Sequence, residues 1–380
     1  MKKLSLYIKQ VGVYVLSMLV PRGKMILFHS APPYTDNPYA LFRYIVREHA
    51  FPGYRMVWAL PAGTGADIGA RIRMDEPEAV VVHYEERLRW WWYVLRARWL
   101  VYSHLLCNEY VFCQKDKRIC LWHGTGIKPT GVLSGEVPAK ADRILCTSDT
   151  FVDVYMRMFL LRREQIWPIG NPRTDCMWEE TDFFEKHHIC REDYQSVGIW
   201  MPTFRKHRLE VRQDGDFGED RLCGFTFGQL AELDAFLYGQ NKLLIVKLHM
   251  FDSLCDVELP EFSHLLIVKP QDLHCQLYPL LGACDYLISY YSSVSTDYDI
   301  LGRPMAFVLN DRVEYQTKRG FLFPDIEHFL PGRILHDMEE LKEFVACPER
   351  YRIETGQRLN TYKDNHVCRR VVESIKKELC

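Results

Sequence analysis

The chain has 380 residues, enough for two domains rather than one. Its composition, 48% hydrophobic and 26% charged, is that of a folded globular protein and excludes disorder as the state of most of it. With 48 basic residues against 50 acidic ones the formal net charge is −2, which excludes nucleic-acid binding through bulk positive charge but leaves room for a local phosphate site.

Residues 11–20 form an apolar run, preceded by Lys2, Lys3 and Lys9 and followed by Arg22 and Lys24. A bilayer span needs about 20 apolar residues, twice this length. No small-x-small cleavage site follows before Met25-Ile26-Leu27-Phe28, which reads as a strand. On a helical projection Ser5, Lys9, Gln10 and Ser17 fall on one arc, and Leu, Val and Tyr fill the rest. That pattern suits a helix lying in a membrane interface. It suits equally an N-terminal helix packed on its own domain.

Strands and helices then alternate. Short apolar runs at 25–28, 56–59, 79–82, 99–102, 118–122 and 143–146 read as strands, with helical patterns at 39–48, 85–96 and 150–159. The second half repeats the style, with strands at 196–200, 243–248, 265–268, 286–288 and 305–308. Its helices fall near 227–237, 271–281, 293–301, 338–346 and 365–377. Such alternation builds parallel sheets covered on both faces. The expected fold class is α/β: two doubly wound Rossmann-like domains facing a cleft, the GT-B type, with ligands at the carboxyl ends of the strands. A polar stretch near 180–195 marks the junction. The expected spans are 1–24 for the amphipathic segment, 25–185 for the first domain and 186–380 for the second. The 13 scattered cysteines fit a reducing compartment. Cys120-x-x-His123 and His187-His188-x-Cys190 each lack the paired spacing of a zinc site, so no metal is expected.

Four segments carry chemistry. The first is Trp122-His123-Gly124-Thr125-Gly126-Ile127-Lys128, where a strand ends in a glycine-rich loop. Glycines let backbone N–H groups approach phosphate oxygens, and a strand-tip histidine can deprotonate a hydroxyl near neutral pH. The alternative for His123 is a structural histidine. The second is Pro202-Thr203-Phe204-Arg205, after a strand. The third is Lys247-Leu248-His249, whose Lys and His point to one side of an extended chain and suit an anion. The fourth is Tyr290-Tyr291-Ser292-Ser293, running into a helix that holds Asp297. Free N–H groups at that helix start favour a phosphate, although most such serines are ordinary N-caps. Asp214-Gly215-Asp216 imitates a metal-binding pair but lies in a polar loop and reads as a solvated turn.

Together these segments resemble, in order, the motifs of the CDP-glycerol:polyglycerolphosphate glycerophosphotransferase family. Thr35-Asp36-Asn37-Pro38, Gly170-Asn171-Pro172-Arg173-Thr174-Asp175 and the segment from Gly302-Arg303-Pro304 to Phe321 extend the likeness over residues from about 25 to about 335. There are departures. Tyr290 stands where the family has Asp, Gly126-Ile127 where it has Pro-Leu, and Met250 where it often has Pro. The resemblance implies transfer of glycerol phosphate, or a related polyol phosphate, from CDP-glycerol or CDP-ribitol to a hydroxyl of a lipid-linked or glycan acceptor, with release of CMP. It makes the first domain the acceptor domain and the second the CDP-donor domain. It assigns the catalytic positions His123 and His249, with His123 as general base. Arg205, Lys247, His249, Ser292 and Ser293 would hold the diphosphate, and Asp297 would contact the ribose. No cofactor and no metal are implied, and no nucleic acid. The implied location is peripheral, on the cytoplasmic face of the cell membrane, in teichoic-acid-like or capsular polymer synthesis. A nucleotide-sugar glycosyltransferase of the same architecture is the alternative enzyme, and a membrane-surface polymer-binding protein the alternative without catalysis.

Overall fold

The computed structural model describes residues 2–113, 117–202, 221–222, 224–249, 252–309, 312–318 and 320–378. Contacts divide the chain into two compact units that run differently from the expected spans. The first comprises Met1–His123, Thr130–Asp175 and Asp364–Cys380, and the second Gly124–Pro129 and Cys176–Lys363. The C-terminal helix therefore belongs to the first unit, and a short loop after His123 to the second.

The first unit is built on seven parallel strands: β1 (Met25–His29), β2 (Arg55–Leu60), β3 (Val80–His83), β4 (Trp99–Tyr102), β5 (Arg118–Cys120), β6 (Arg143–Cys146) and β7 (Ile166–Pro168). Their order is β3-β2-β1-β4-β5-β6-β7. The helices are α1 (Lys2–Leu19), α2 (Asp36–Arg47), α3 (Ala66–Asp75), α4 (Arg87–Arg96) and α5 (Val152–Phe159). The strands are apolar away from their ends because parallel strands are covered on both faces, and β4, Trp-Leu-Val-Tyr, is wholly buried. α2 buries Asn37, Leu41 and Ile45 with Pro38 and Phe42, which is the spacing of one helical stripe. The chain goes from β1 outward to β3 on one side, then returns to β4 on the other. The topological switch point thus lies between the carboxyl ends of β1 and β4.

The last helix, Val367–Lys377, is capped from a distance of 192 residues: Asp175 accepts hydrogen bonds from the Val367 and Cys368 backbone N–H groups at 2.9 and 2.8 Å. Arg143 and Glu378 pair at its other end, at 2.7 Å.

The second unit has a parallel sheet of six strands: β8 (Ser196–Met201), β11 (Lys242–Lys247), β12 (Leu265–Val268), β13 (Tyr286–Ser289), β14 (Met305–Val308) and β15 (Arg333–Leu335). Their order is β12-β11-β8-β13-β14-β15, which puts the switch point between β8 and β13. β9 (Arg221–Leu222) and β10 (Phe225–Thr226) form a separate antiparallel pair. The helices are α6 (Phe183–Lys186), α7 (Phe227–Gly239), α8 (Leu277–Ala283), α9 (Val294–Tyr298), α10 (Arg312–Lys318), α11 (Ile326–Phe329) and α12 (Met338–Ala346). α7 starts on a capping box, in which Thr226 Oγ1 accepts from Gln229 N and the Gln229 side chain accepts from Thr226 N.

Several elements are shorter than expected for local reasons. The strand expected to reach residue 122 ends at Cys120, because Trp122 takes a left-handed conformation (φ 54°) and turns the chain out. The helix expected at 293–301 is α9 for five residues and then tightens into a 3-10 turn over Asp299–Leu301.

α1 docks by a narrow seam. Gln10 Nε2 donates to Glu109 O at 2.7 Å, Val13 is buried, and Ser17 Oγ accepts from Cys113 N at 2.9 Å. These positions share one helix face. The opposite, apolar side is open: Ile8 is 62% exposed and Leu19 73%. The segment is thus packed on its own domain through Gln10, Val13 and Ser17. Among the described residues no helix is long and apolar enough to cross a membrane.

Candidate functional site

In the first unit the residues around His123 come from the ends of β4 and β5, the segment after β7 and the start of α2. Asn37 is fully buried, and its Nδ2 donates to Leu121 O and Trp122 O at 3.2 and 2.8 Å. Its Oδ1 accepts from Arg173 N at 3.0 Å. Asp36 pairs with the Arg173 guanidinium at 2.6 Å. The motifs at 35–38 and 170–175 therefore meet, and together they hold the backbone that presents His123.

The His123 ring is held by its neighbours. Nδ1 lies 3.4 Å from the Ser103 carbonyl, at the long end for an N–H···O bond. The His104 ring stacks on it, with centroids 4.5 Å apart and planes 14° from parallel, and Trp122 touches it at 4.1 Å. Burial lowers the His123 pKa below the ordinary imidazole value, and the Arg173 cation acts in the same direction. Asp36 and the Ser103 carbonyl oppose this. The ring is therefore neutral at neutral pH. With Nδ1–H donated to Ser103, Nε2 carries the lone pair, which is the proton state of a general base. At the end of β1, His29 Nδ1 lies 2.7 Å from the Tyr84 hydroxyl; burial drives the His29 pKa down to about 4, and His104 acts in the same direction.

In the second unit the anion-binding candidates share the carboxyl edge of one sheet. Lys247 closes β11 and His249 follows it, while Ser292 and Ser293 follow β13. β11 and β13 are the two neighbours of β8. Burial lowers the Lys247 pKa, and Nζ donates to Leu248 O at 3.2 Å. The His249 carbonyl accepts from Asp252 N at 2.9 Å, which curls the chain after β11. Ser292 Oγ accepts from Val294 N at 3.4 Å. The loop Gly124–Pro129 packs in this same unit. A Cβ on Gly126 would stand 3.3 Å from Ser293 Cβ, and Leu322 N donates to Ile127 O at 2.9 Å. Gly124 has φ 128°, a conformation that side chains rarely adopt.

Asp297 is fully buried in α9 and accepts from the Tyr278 hydroxyl at 2.6 Å. The short α9 weakens the macrodipole argument at Ser292 and Ser293, because few peptide dipoles are aligned behind them. Arg205, with Thr203 and Phe204, lies outside the described residues, as does Asp214-Gly215-Asp216. The residues that sequence reasoning missed are Ser103 and His104. A signal for them existed, a Ser-His pair directly after an apolar strand, but its meaning depends on β4 lying beside β5.

The family model for CDP-glycerol:poly(glycerophosphate) glycerophosphotransferase matches residues 13–377. A teichoic acid ribitol-phosphate primase of Bacillus spizizenii is 28% identical over 71% of this chain and 74% of its own length. A teichoic acid poly(glycerol phosphate) polymerase of the same organism is 23% identical over 90% of this chain and 88% of its own. A solved structure of the wall teichoic acid polymerase TagF, a histidine-to-alanine variant, superposes with a TM-score of 0.72 at 19% identity, covering 99% of this chain and 97% of that one. A TagF variant soaked with CDPG gives 0.67 at 19% identity, covering 93% and 89%. The structural likeness bears on the fold, which is of the GT-B type with two Rossmann-like α/β domains. On the match to nearly its whole length, the chain belongs to the CDP-glycerol:poly(glycerophosphate) glycerophosphotransferase family, a family of teichoic acid polyol-phosphate transferases.

Proposed function

We propose that this chain transfers glycerol phosphate, or the related ribitol phosphate, from a CDP carrier to an acceptor hydroxyl and releases CMP. The observation that carries this reading is the neutral His123 imidazole, tethered through Nδ1 at a strand end within the family's His-Gly-Thr motif. The acceptor hydroxyl loses its proton to Nε2 as its oxygen attacks the β-phosphorus. The bond from that phosphorus to the bridging oxygen breaks, and CMP leaves as a phosphate monoester. The leaving group has a low pKa, so protonating it contributes little, whereas charge on the diphosphate must be balanced. Lys247, His249, Ser292 and Ser293, together with Arg205, take that role. Asp297 serves as an anchor for α9 through Tyr278.

The test is direct. The pure protein is incubated with CDP-glycerol, CDP-ribitol and UDP-sugars in the presence of an acceptor. CMP release from a CDP-polyol is expected. UDP release would make it a glycosyltransferase, and no release from any donor would leave a binding protein.

His249→Ala and Ser292→Ala are expected to weaken CMP binding measured by calorimetry. Each loses a hydrogen bond to phosphate worth about 1 kcal/mol or more, roughly a fivefold rise in Kd. Unchanged affinity in both variants would move these residues out of the donor site.

We also propose that α1 lies on the cytoplasmic face of the membrane, where a lipid-linked acceptor is reached. The apolar side of α1 is open, and Lys2, Lys3, Lys9, Arg22 and Lys24 accompany it in the sequence. The end of α4 adjoins this segment, with Arg96 O accepting from Gly23 N at 2.8 Å. In α4, Trp90 is buried, whereas Trp92 is 53% exposed with Arg96 over its ring. Trp favours the headgroup region, and each Lys or Arg near anionic lipid adds about 1 kcal/mol. Full-length protein is expected to sediment with phosphatidylglycerol vesicles at low salt, and residues 21–380 to remain in the supernatant. The double variant Ile8→Glu/Leu19→Glu spares the Gln10–Val13–Ser17 seam and is expected to behave like the truncation. Vesicle binding retained by both would exclude α1 as the anchor.

A further inference from the structure

At the first unit's switch point, one strand end touches His123 in two ways. β4 ends at Tyr102, and the next two residues are Ser103 and His104. The Ser103 carbonyl lies on the Nδ1 edge of His123, at 3.4 Å. The His104 ring lies flat against the His123 ring. Ser103 Oγ in turn stands 3.0 Å from His104 Nδ1, which fixes the orientation of the second ring from the same residue that tethers the first. An edge contact alone leaves an imidazole free to swing about its own hydrogen bond. The flat His104 ring, together with the tilted Trp122 ring, removes that freedom.

We propose that His104 is a positioning residue for the transfer reaction: its ring holds the His123 imidazole in the plane that aims Nε2 at the acceptor hydroxyl, and keeps water off that face. This inference rests on His123 being the base. His104 does not itself take the proton. Burial, reinforced by His123, lowers its pKa to about 4, so it remains a neutral ring through the working range. The charged groups acting on the pair are Asp36, at the start of α2, and Arg173, in the segment after β7. They pair with each other at 2.6 Å, and their effects are opposed. The largest influence on both rings is burial, and the stacked His104 ring covers one face of His123.

The consequence can be separated from a loss of fold. His104→Ala opens one face of His123 to water and lets the ring turn. Its kcat is expected to fall about tenfold or more, the scale on which small misplacements of reacting groups act. CMP affinity should be unchanged, because the donor-phosphate residues lie in the other unit. The His123 pKa should rise towards the ordinary value as its desolvation is relieved, carrying the acid limb of kcat/KM to higher pH. His104→Phe keeps a flat ring, and should keep kcat within about threefold together with the wild-type acid limb. NMR titration of the His123 ring in wild type and both variants reads the same shift without turnover, and thermal unfolding checks the fold.

His123→Ala is measured alongside. If it is inactive while His104→Ala keeps both kcat and acid limb, His104 has no positioning role and the base assignment stands. If His123→Ala itself turns over at near the wild-type rate, the base assignment has failed and the role of His104 falls with it.

Discussion

His123→Ala is expected to lower kcat roughly a hundred- to ten-thousand-fold, the usual cost of removing a general base. The loss should appear in kcat and kcat/KM together, because the proton transfer belongs to the transition state rather than to binding. CMP affinity should persist. The fold should persist too, since the backbone around His123 is held by Asn37 and not by the imidazole. In the active protein the same residue sets the acid limb of the pH profile. Burial and Arg173 hold its pKa below 6.5, so the fraction of neutral base stays high at that pH and falls only as pH drops through the lowered value. A kcat/KM profile that is flat at neutrality and falls on the acid side below 6.5 is therefore the expected result. An acid limb above 6.5 would point to a different base, and turnover within about threefold of wild type in His123→Ala would remove the residue from the chemistry.

The α/β architecture was legible because parallel strands covered on both faces are apolar over their middle positions. β4 and the middle of β11 show this in Trp-Leu-Val-Tyr and Leu-Leu-Ile-Val. β7 was not legible: it has three residues, Ile-Trp-Pro, with a proline that argues against a strand. β15 is equally short and lies at a sheet edge. α3 hides for another reason. Among its residues only Gly69 and Ile72 are buried, so no apolar stripe repeats along it. His123 could be found from its motif, but His104 could not, because nothing in a linear chain says that β4 and β5 are neighbours. The return of the last helix to the first unit depends on Asp175 reaching Val367 and Cys368, a long-range contact that local patterns do not encode. The burial of Asp297 shows the opposite limitation. Helical spacing places a residue one turn into a helix but does not say which side faces the interior, and here the Tyr278 hydroxyl lies on the inner side.

The second large effect is expected at Asp299, in the turn that follows α9. Its carboxylate is buried and accepts from Thr355 Oγ1 at 2.7 Å and from Asn360 Nδ2 at 3.0 Å, with Lys363 Nζ at 3.2 Å. Asn360 Nδ2 also donates to Thr296 O at 2.7 Å, so segment 355–363 is tied to α9 itself. Asp299→Ala removes the shared acceptor and leaves buried donors on Thr355 and Asn360 unpaired. Breaking a buried hydrogen-bonded ion pair costs about 3–5 kcal/mol, and the partial exposure of Lys363 favours the lower end of that range. For a unit of this size about 3 kcal/mol corresponds to a fall in Tm of roughly 6–12 °C. Lys363→Met loses the ion pair but keeps both neutral donors satisfied, and should cost about 1 kcal/mol. The order of the two variants decides what the network does. If the Lys363 variant is as damaging as the Asp299 variant, the ion pair carries the segment. If Asp299→Ala lowers Tm by less than about 3 °C, the network is incidental to stability. Because α9 begins directly after Ser293, the same Asp299 variant should also weaken CMP binding at temperatures where it is still folded. Loss of stability with CMP affinity intact would confine Asp299 to holding the fold.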